Sequence, residues 1–153
     1  RFEIEFDPIQ TEEIVLSGGP FQNFKSVKLY IKQVFKRMES EGFTKQDAAY
    51  LVYNYGKQTS TILDKFDELS EENNEKKLVK AEVWFTIHHE MTCTPTDFFM
   101  RRTGRLFFDK PSVDRNKELV LEEFANYFGW KEEESESHNQ ELEDKIQLAV
   151  RFR

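Results

Sequence analysis

The sequence predicts an all-α fold: one domain of about seven helices behind a short extended, β-prone N-terminal arm. Three observations carry that expectation. From Asn23 onward apolar residues recur at helical spacing, the pattern of a helix with one buried face. Gly42, Gly56, Gly104 and Gly129 punctuate these stretches, and Thr or Ser opens several of them; these are helix-stopping and helix-capping residue types. Only residues 1–16 read differently. There Phe2, Ile4 and Phe6 alternate with Glu3, Glu5 and Asp7, the two-residue period of a half-buried strand.

In chain order, Ile14-Val15-Leu16 adds a second β-prone run, and Ser17-Gly18-Gly19-Pro20 demands a turn. Two short strands make no stable sheet alone. Residues 1–19 are therefore expected to be the remnant or junction of a preceding domain, or an arm on the helices, with residues 20–153 as the helical domain. The first helix carries Phe24, Val27, Ile31, Val34, Phe35 and Met38 and stops at Gly42. Thr44 with Asp47 predicts a capped second helix burying Ala48, Leu51, Val52 and Tyr55 and ending at Gly56. Ser60 is expected to cap a short third helix with Ile62, Leu63 and Phe66. The polar ELSEENNEKK then leads into a fourth, with Leu78, Ala81, Trp84, Phe85, Ile87, His88 and Met91. Thr94-Pro95-Thr96-Asp97 reads as cap, first-turn proline and acidic third position of a fifth helix. Ser112 is expected to start a sixth, carrying Val120, Leu121, Phe124 and Phe128. A last helix follows Trp130, with KEEESE near the positive end of its dipole and Leu142, Ile146 and Val150 as its apolar stripe.

Composition narrows the function. The 153 residues suffice for one ordinary core, burying roughly 70% of the unfolded surface. A net charge of −7 argues against nonspecific nucleic-acid binding. No apolar run approaches the roughly 18 residues of a membrane span, and no signal-peptide pattern is present. The single Cys93 excludes an internal disulfide and fits a reducing compartment, so a cytoplasmic location is expected. The chain begins at Arg1 rather than methionine, which reads as a piece of a longer polypeptide or the product of tag removal.

The stretch HHEMTCTPTDFFMRRTGRLFF, His88 to Phe108, concentrates the reactive residue types. His88, His89, Glu90 and Cys93 are close in sequence, but no H-E-x-x-H and no cysteine pair is present, so no metal site is expected. Cys93 lacks the orienting partners of a nucleophile and reads as packing. The acidic DKFDELSEENNE misses the ligand pattern and glycine of a calcium loop. Asp97 stands four residues before Arg101, a favourable helical ion pair. Arg102 needs a partner of its own, and Glu90 is the candidate. A structural clamp is preferred over an anion-binding arginine pair. Lys25, Lys28, Lys32 and Lys36 form one stripe of the first helix. A solvated flank is the first reading, with contact to anionic lipid or an acidic partner as the alternatives. No G-x-G-x-x-G, P-loop or nucleophile elbow occurs, so no autonomous catalytic site is expected.

From His89-Glu90-Met91 through CTPTDFFMRRTGRLFF the sequence resembles the C-terminal domain of FAD-dependent glycerol-3-phosphate dehydrogenases and α-glycerophosphate oxidases. LSGG at 16–19, FTKQDAAYLVYNYG at 43–56 and EEFANYFGWKEEE at 122–134 extend the likeness over about residues 14–140. The D-F-x-x-R-R-T block is its most specific part. The resemblance implies a parent enzyme whose preceding FAD and substrate domains oxidise sn-glycerol 3-phosphate to dihydroxyacetone phosphate and pass electrons to quinone or oxygen. Of the two, the dehydrogenase is favoured. It further implies that this chain alone holds no FAD, contributes no catalytic residue and turns over no substrate. Its expected partners are the FAD and substrate domains, a second copy, and a peripheral contact on the cytoplasmic membrane face. Within the matched block, His89, Glu90, Asp97, Arg101, Arg102 and Thr103 are expected to lock two helices together. Asp97 would cap the fifth helix and pair with Arg101, while a buried Arg102 would pair with Glu90. An independent helical interaction module is the alternative to the dehydrogenase domain.

Overall fold

A computed structural model describes residues 14–151, and every regular element among them is a helix. The alternating run at residues 2–7 lies outside the described residues. Ile14-Val15-Leu16, expected as a short strand, is instead exposed, irregular chain, because no strand edge among the described residues is available to pair it. The turn after it forms as expected, closed by Gly19 N donating to Leu16 O at 3.1 Å.

Helix α1 (Phe24–Met38) opens on Asn23, whose side chain accepts from Ser26 N while Ser26 Oγ accepts from Asn23 N. Helix α2 (Lys45–Tyr55) opens on the Thr44–Asp47 capping box, which satisfies two donors at the helix start. Helix α3 (Thr59–Glu68) begins one residue before the expected cap; Ser60 Oγ donates back to Lys57 O and leaves no role as N-cap. Helix α4 (Asn74–Glu90) starts inside the polar connection, capped by Asn73, and ends on Met91 in a left-handed conformation.

Beyond Met91 the chain makes a compact corner. Helix α5 (Pro95–Asp97) runs directly into a π-turn over Phe98–Arg102. Gly104, at φ +65, then reverses the chain into the short α6 (Arg105–Phe108). That conformation is easy only for a residue without Cβ. Helix α7 (Lys110–Phe128) begins two residues before Ser112, because Asp109 supplies the cap and accepts from Ser112 N at 3.2 Å. Helix α8 (Glu132–Val150) closes the bundle, its first turn carrying Glu132, Glu133 and Glu134.

The apolar residues form two cores. One holds Val34, Met38, Leu51, Ile62, Leu63, Phe66 and Phe85 between α1, α2, α3 and α4. The other holds Val79, Val83, Phe98, Phe99, Val113, Val120, Phe124 and Leu142 between α4 and the later helices. Helix α4 serves both, giving Leu78, Ala81 and Phe85 to the first and Val79, Val83 and Ile87 to the second. A helix apolar around most of its circumference is a central helix, and burying each large side chain contributes roughly 1.5–3 kcal/mol. Midway along this shared helix stands a carboxylate, Glu82.

Candidate functional site

Glu82 is wholly buried between the two cores. Tyr50 and Tyr55, on α2, each donate a hydroxyl to its Oε1 at 3.0 Å. Arg105, the first residue of α6, donates Nη2 to Oε2 at 2.5 Å. Its guanidinium also lies over the rings of Tyr50 and Phe98, 5.3 and 5.8 Å from their centroids. A buried charge is tolerated only when paired and hydrogen-bonded, and Glu82 meets that requirement with three donors from two other helices. Burial, then the negative charge of Glu82, pushes both tyrosine hydroxyls well above their ordinary range. Burial acts to lower the pKa of Arg105, but the charge of Glu82 and the neighbouring tyrosines more than offset it, and the guanidinium is held firmly charged. The network ties α2, α4 and α6 at one point. Sequence reasoning missed both of its charged members. The available signal was Glu82 itself, set between Ala81 and Val83 on a helix with apolar residues on both sides.

The sequence-expected clamp has a different geometry. Asp97 does not cap α5; Thr94 does, its Oγ1 accepting from Asp97 N at 3.1 Å. Asp97 instead receives both arginines, Arg101 Nη1 at 2.9 Å and Arg102 Nε at 3.4 Å. The π-turn is the reason. Thr103 N donates to Phe98 O, five residues back, at 2.9 Å. This wider turn brings the residue five after Asp97 toward the face already occupied by the residue four after it.

The expected Arg102–Glu90 pair is therefore not formed: no cationic side chain among the described residues lies within ion-pair distance of Glu90. Partial burial raises the Glu90 pKa, and the charge of Arg102 offsets this only in part. Arg102 is also not buried, retaining 35% side-chain exposure, while Arg101 retains 78%. Thr103 is buried and donates Oγ1 to Phe98 O at 2.9 Å, fixing the same turn from inside.

The neighbouring histidines stack rather than ligate. His89 lies over Phe85 at 4.8 Å between centroids, and His88 donates Nδ1 to Trp84 O at 2.7 Å while facing Tyr127. Cys93 is exposed and donates Sγ–H to Met91 O. Among the described residues no three metal-ligating side chains converge.

Two surfaces complete the candidate regions. Lys25, Lys28, Lys32 and Lys36 all lie on the solvent side of α1. None has a carboxylate within ion-pair distance among the described residues, whereas Arg37 on the same helix pairs with Asp64 and Asp67. Leu29, also exposed, lies within the stripe. At the other surface, the Ser17–Gly19 turn docks on the end of α2, where Lys57 N donates to Gly18 O at 2.6 Å. Gly56 permits this contact, since a Cβ there would meet Gly18 O at 2.4 Å. Tyr53, Asn54 and Glu90 line the cleft beside it.

Comparison with known proteins bears on the whole of this arrangement. The family model described as the C-terminal domain of alpha-glycerophosphate oxidase matches residues 9–135. The aerobic glycerol-3-phosphate dehydrogenase of Bacillus subtilis is 32% identical over 151 residues, covering 97% of this chain and 27% of that protein. The alpha-glycerophosphate oxidase of Enterococcus casseliflavus is 28% identical over 144 residues, 92% of this chain and 22% of that protein. Among solved structures, the glycerol-3-phosphate dehydrogenase from Bacillus halodurans complexed with FAD matches with a TM-score of 0.77 and 31% identity. That match covers 90% of this chain and 29% of the other. The chain thus spans about a quarter of the length of the relatives it matches.

Proposed function

Because the chain belongs to the family of the alpha-glycerophosphate oxidase C-terminal domain, we propose that it serves as the non-catalytic helical domain of a flavin-dependent glycerol-3-phosphate dehydrogenase. The observation that carries this reading is the extent of the match: nearly all of this chain, but only about a quarter of enzymes named for that reaction. FAD would be held by the part of the enzyme that this chain does not match. The described residues do not fit the cofactor, since they include no strand leading through a glycine-rich turn into a helix, the unit that receives a dinucleotide pyrophosphate. The chain's own contribution is a rigid body, braced at Glu82, with the Ser17–Gly19 turn pinned against α2 where the chain enters. The test uses the 153-residue chain and a longer polypeptide carrying the in-frame upstream sequence. The longer one is expected to show a flavin absorption band bleached by sn-glycerol 3-phosphate, and the chain alone to bind no FAD. A flavin-reducing 153-residue chain, or an upstream frame with no dinucleotide-binding fingerprint, would overturn the reading.

A second contact is supported by the charge distribution of α1. The lysine stripe is cationic in a chain of net charge −7, unpaired among the described residues, and carries exposed Leu29 within it. These features suit an anionic lipid surface, and the parent enzyme would then rest peripherally on a membrane. No described helix is long and apolar enough to cross one. Sedimentation with phosphatidylglycerol vesicles tests this. Binding is expected to fall when Lys25, Lys28, Lys32 and Lys36 are changed together to Gln; equal binding by both proteins contradicts it.

A further inference from the structure

The cleft beside the entering chain carries a charge that the domain itself does not answer. Glu90, the last residue of α4, lines it together with Ser17, Tyr53 and Asn54. Both nearby arginines are taken by Asp97, so this half-buried carboxylate has no cation within ion-pair distance among the described residues. A carboxylate partly removed from water without a partner opposes folding. Met91, the next residue, is the one non-glycine at positive φ among the described residues, at +54. Glycine or asparagine holds that helix-ending conformation at less cost, yet a methionine stands there, 84% exposed. Tyr53, 63% exposed, borders the same cleft. Exposed apolar residues that stand singly are ordinary. A tyrosine and a strained methionine flanking an unpaired carboxylate form instead a contact surface, since both side chains bury well at interfaces.

The path of the entering chain says what lies over this face. The Ser17–Gly19 turn is fixed on the end of α2, where Lys57 N donates to Gly18 O at 2.6 Å and a Cβ at Gly56 would collide with it. The family model is that of a C-terminal domain, and the chain spans about a quarter of the relatives it matches. On the reading proposed above, on which this inference rests, a much larger body therefore joins the domain through this turn, at the edge of the cleft. We propose that the upstream portion of the parent polypeptide docks on this face, setting a lysine or arginine against Glu90 and apolar side chains against Tyr53 and Met91. A contact of mixed apolar and charged groups is the usual composition of an interface between domains of one chain. Exposed Phe107 and Phe108 on α6 do not line this cleft and are not part of the contact.

Met91 reports on this face directly, because an exposed thioether is oxidised by hydrogen peroxide while a covered one is spared. The test follows Met91 oxidation by peptide mass spectrometry in the 153-residue chain and in the longer polypeptide carrying the in-frame upstream sequence. Met38, 2% exposed in the first core, is the internal reference for an intact fold. Oxidation of Met91 is expected to be at least about tenfold slower in the longer polypeptide, where the thioether reacts only when the contact opens. Glu90→Gln in the longer polypeptide is expected to speed it roughly threefold, the worth of one partly exposed ion pair. In the 153-residue chain the same change removes an unpaired charge and is expected to leave the Met91 rate unchanged. Equal Met91 rates in the two proteins, with a flavin band in the longer one bleached by sn-glycerol 3-phosphate, overturn the docking face and leave the family reading standing. A longer polypeptide without flavin overturns both. A Met91 rate in the longer polypeptide indifferent to Glu90→Gln also overturns the proposal.

Discussion

The π-turn and α6 place two arginine–carboxylate sites almost side by side, and the two could hardly differ more in environment. At one, Arg101 and Arg102, with side-chain exposures of 78% and 35%, reach in from the protein surface to share the single carboxylate of Asp97, itself 14% exposed. At the other, Arg105 and Glu82 meet with exposures of 9% and 0%. The first site resembles the many surface ion pairs that water and salt weaken to ~0–1 kcal/mol. The second cannot be left half-made, because removal of either partner strands a charge between two apolar cores. The comparison teaches that a conspicuous run of arginines in a sequence is not where the energetic dependence lies. It lies with the arginine set among apolar neighbours.

The largest expected effect breaks the buried site. Glu82→Ala should cost about 3–5 kcal/mol of unfolding free energy, measured by urea denaturation. The paired change Glu82→Leu with Arg105→Met should cost less than Glu82→Ala, since no charge then stays buried; a double variant weaker than the single would refute the interpretation. Next comes Tyr55→Phe, which removes one donor to a buried carboxylate and should cost about 1.5–3 kcal/mol. The same tyrosines set an alkaline limit. A group whose folded pKa stands above its unfolded value lends stability that is whole below the unfolded value and is lost as pH rises toward the folded one. Both hydroxyls are raised above the ordinary value near 10. Stability should therefore fall as pH climbs past about 10, and less steeply in Tyr55→Phe.

Smaller effects sharpen the exposed side of the comparison. Arg102→Ala should cost about 0.2–1 kcal/mol and shrink in high salt, yet still exceed Lys28→Ala, whose ammonium meets no carboxylate among the described residues. Smallest, and opposite in sign, is Glu90→Gln. Partial burial raises the Glu90 pKa above its ordinary value near 4.5, so the charged form opposes folding at neutral pH. Glu90→Gln should raise the thermal midpoint at pH 7, and the gap should close below pH 4.5, where Glu90 is protonated in both states. A lowered midpoint at pH 7 would restore the salt bridge with Arg102 that the sequence suggested.

The all-helical class, the order of the long helices and most of their ends were legible in the sequence because caps, glycines and apolar spacing act locally. Thr44 with Asp47, and Thr94 with Pro95, marked helix starts that formed as read. Asp109 before Lys110-Pro111 is an equally good cap signal, and it rather than Ser112 opens α7; the four-residue α6 is too short to show an apolar period. The Asp97–Arg101 pair also forms as its four-residue spacing predicts, but the pairing of Arg102 with Glu90 does not, for a different reason. Helical spacing places residue i+4 on the same face as residue i, but it does not foresee a π-turn, which turns Arg102 toward Asp97 rather than Glu90. The Glu82–Arg105 pair is separated by 23 positions and depends on how two cores share α4. That arrangement is tertiary, and no local pattern encodes the partner.

The central claim is that Arg105, rather than the neighbouring arginine pair, holds the domain together. Parallel urea denaturation of Arg105→Ala and Arg102→Ala tests it most directly. The account predicts a loss for Arg105→Ala several-fold larger than for Arg102→Ala. Equal losses, or a larger loss for Arg102→Ala, would contradict it.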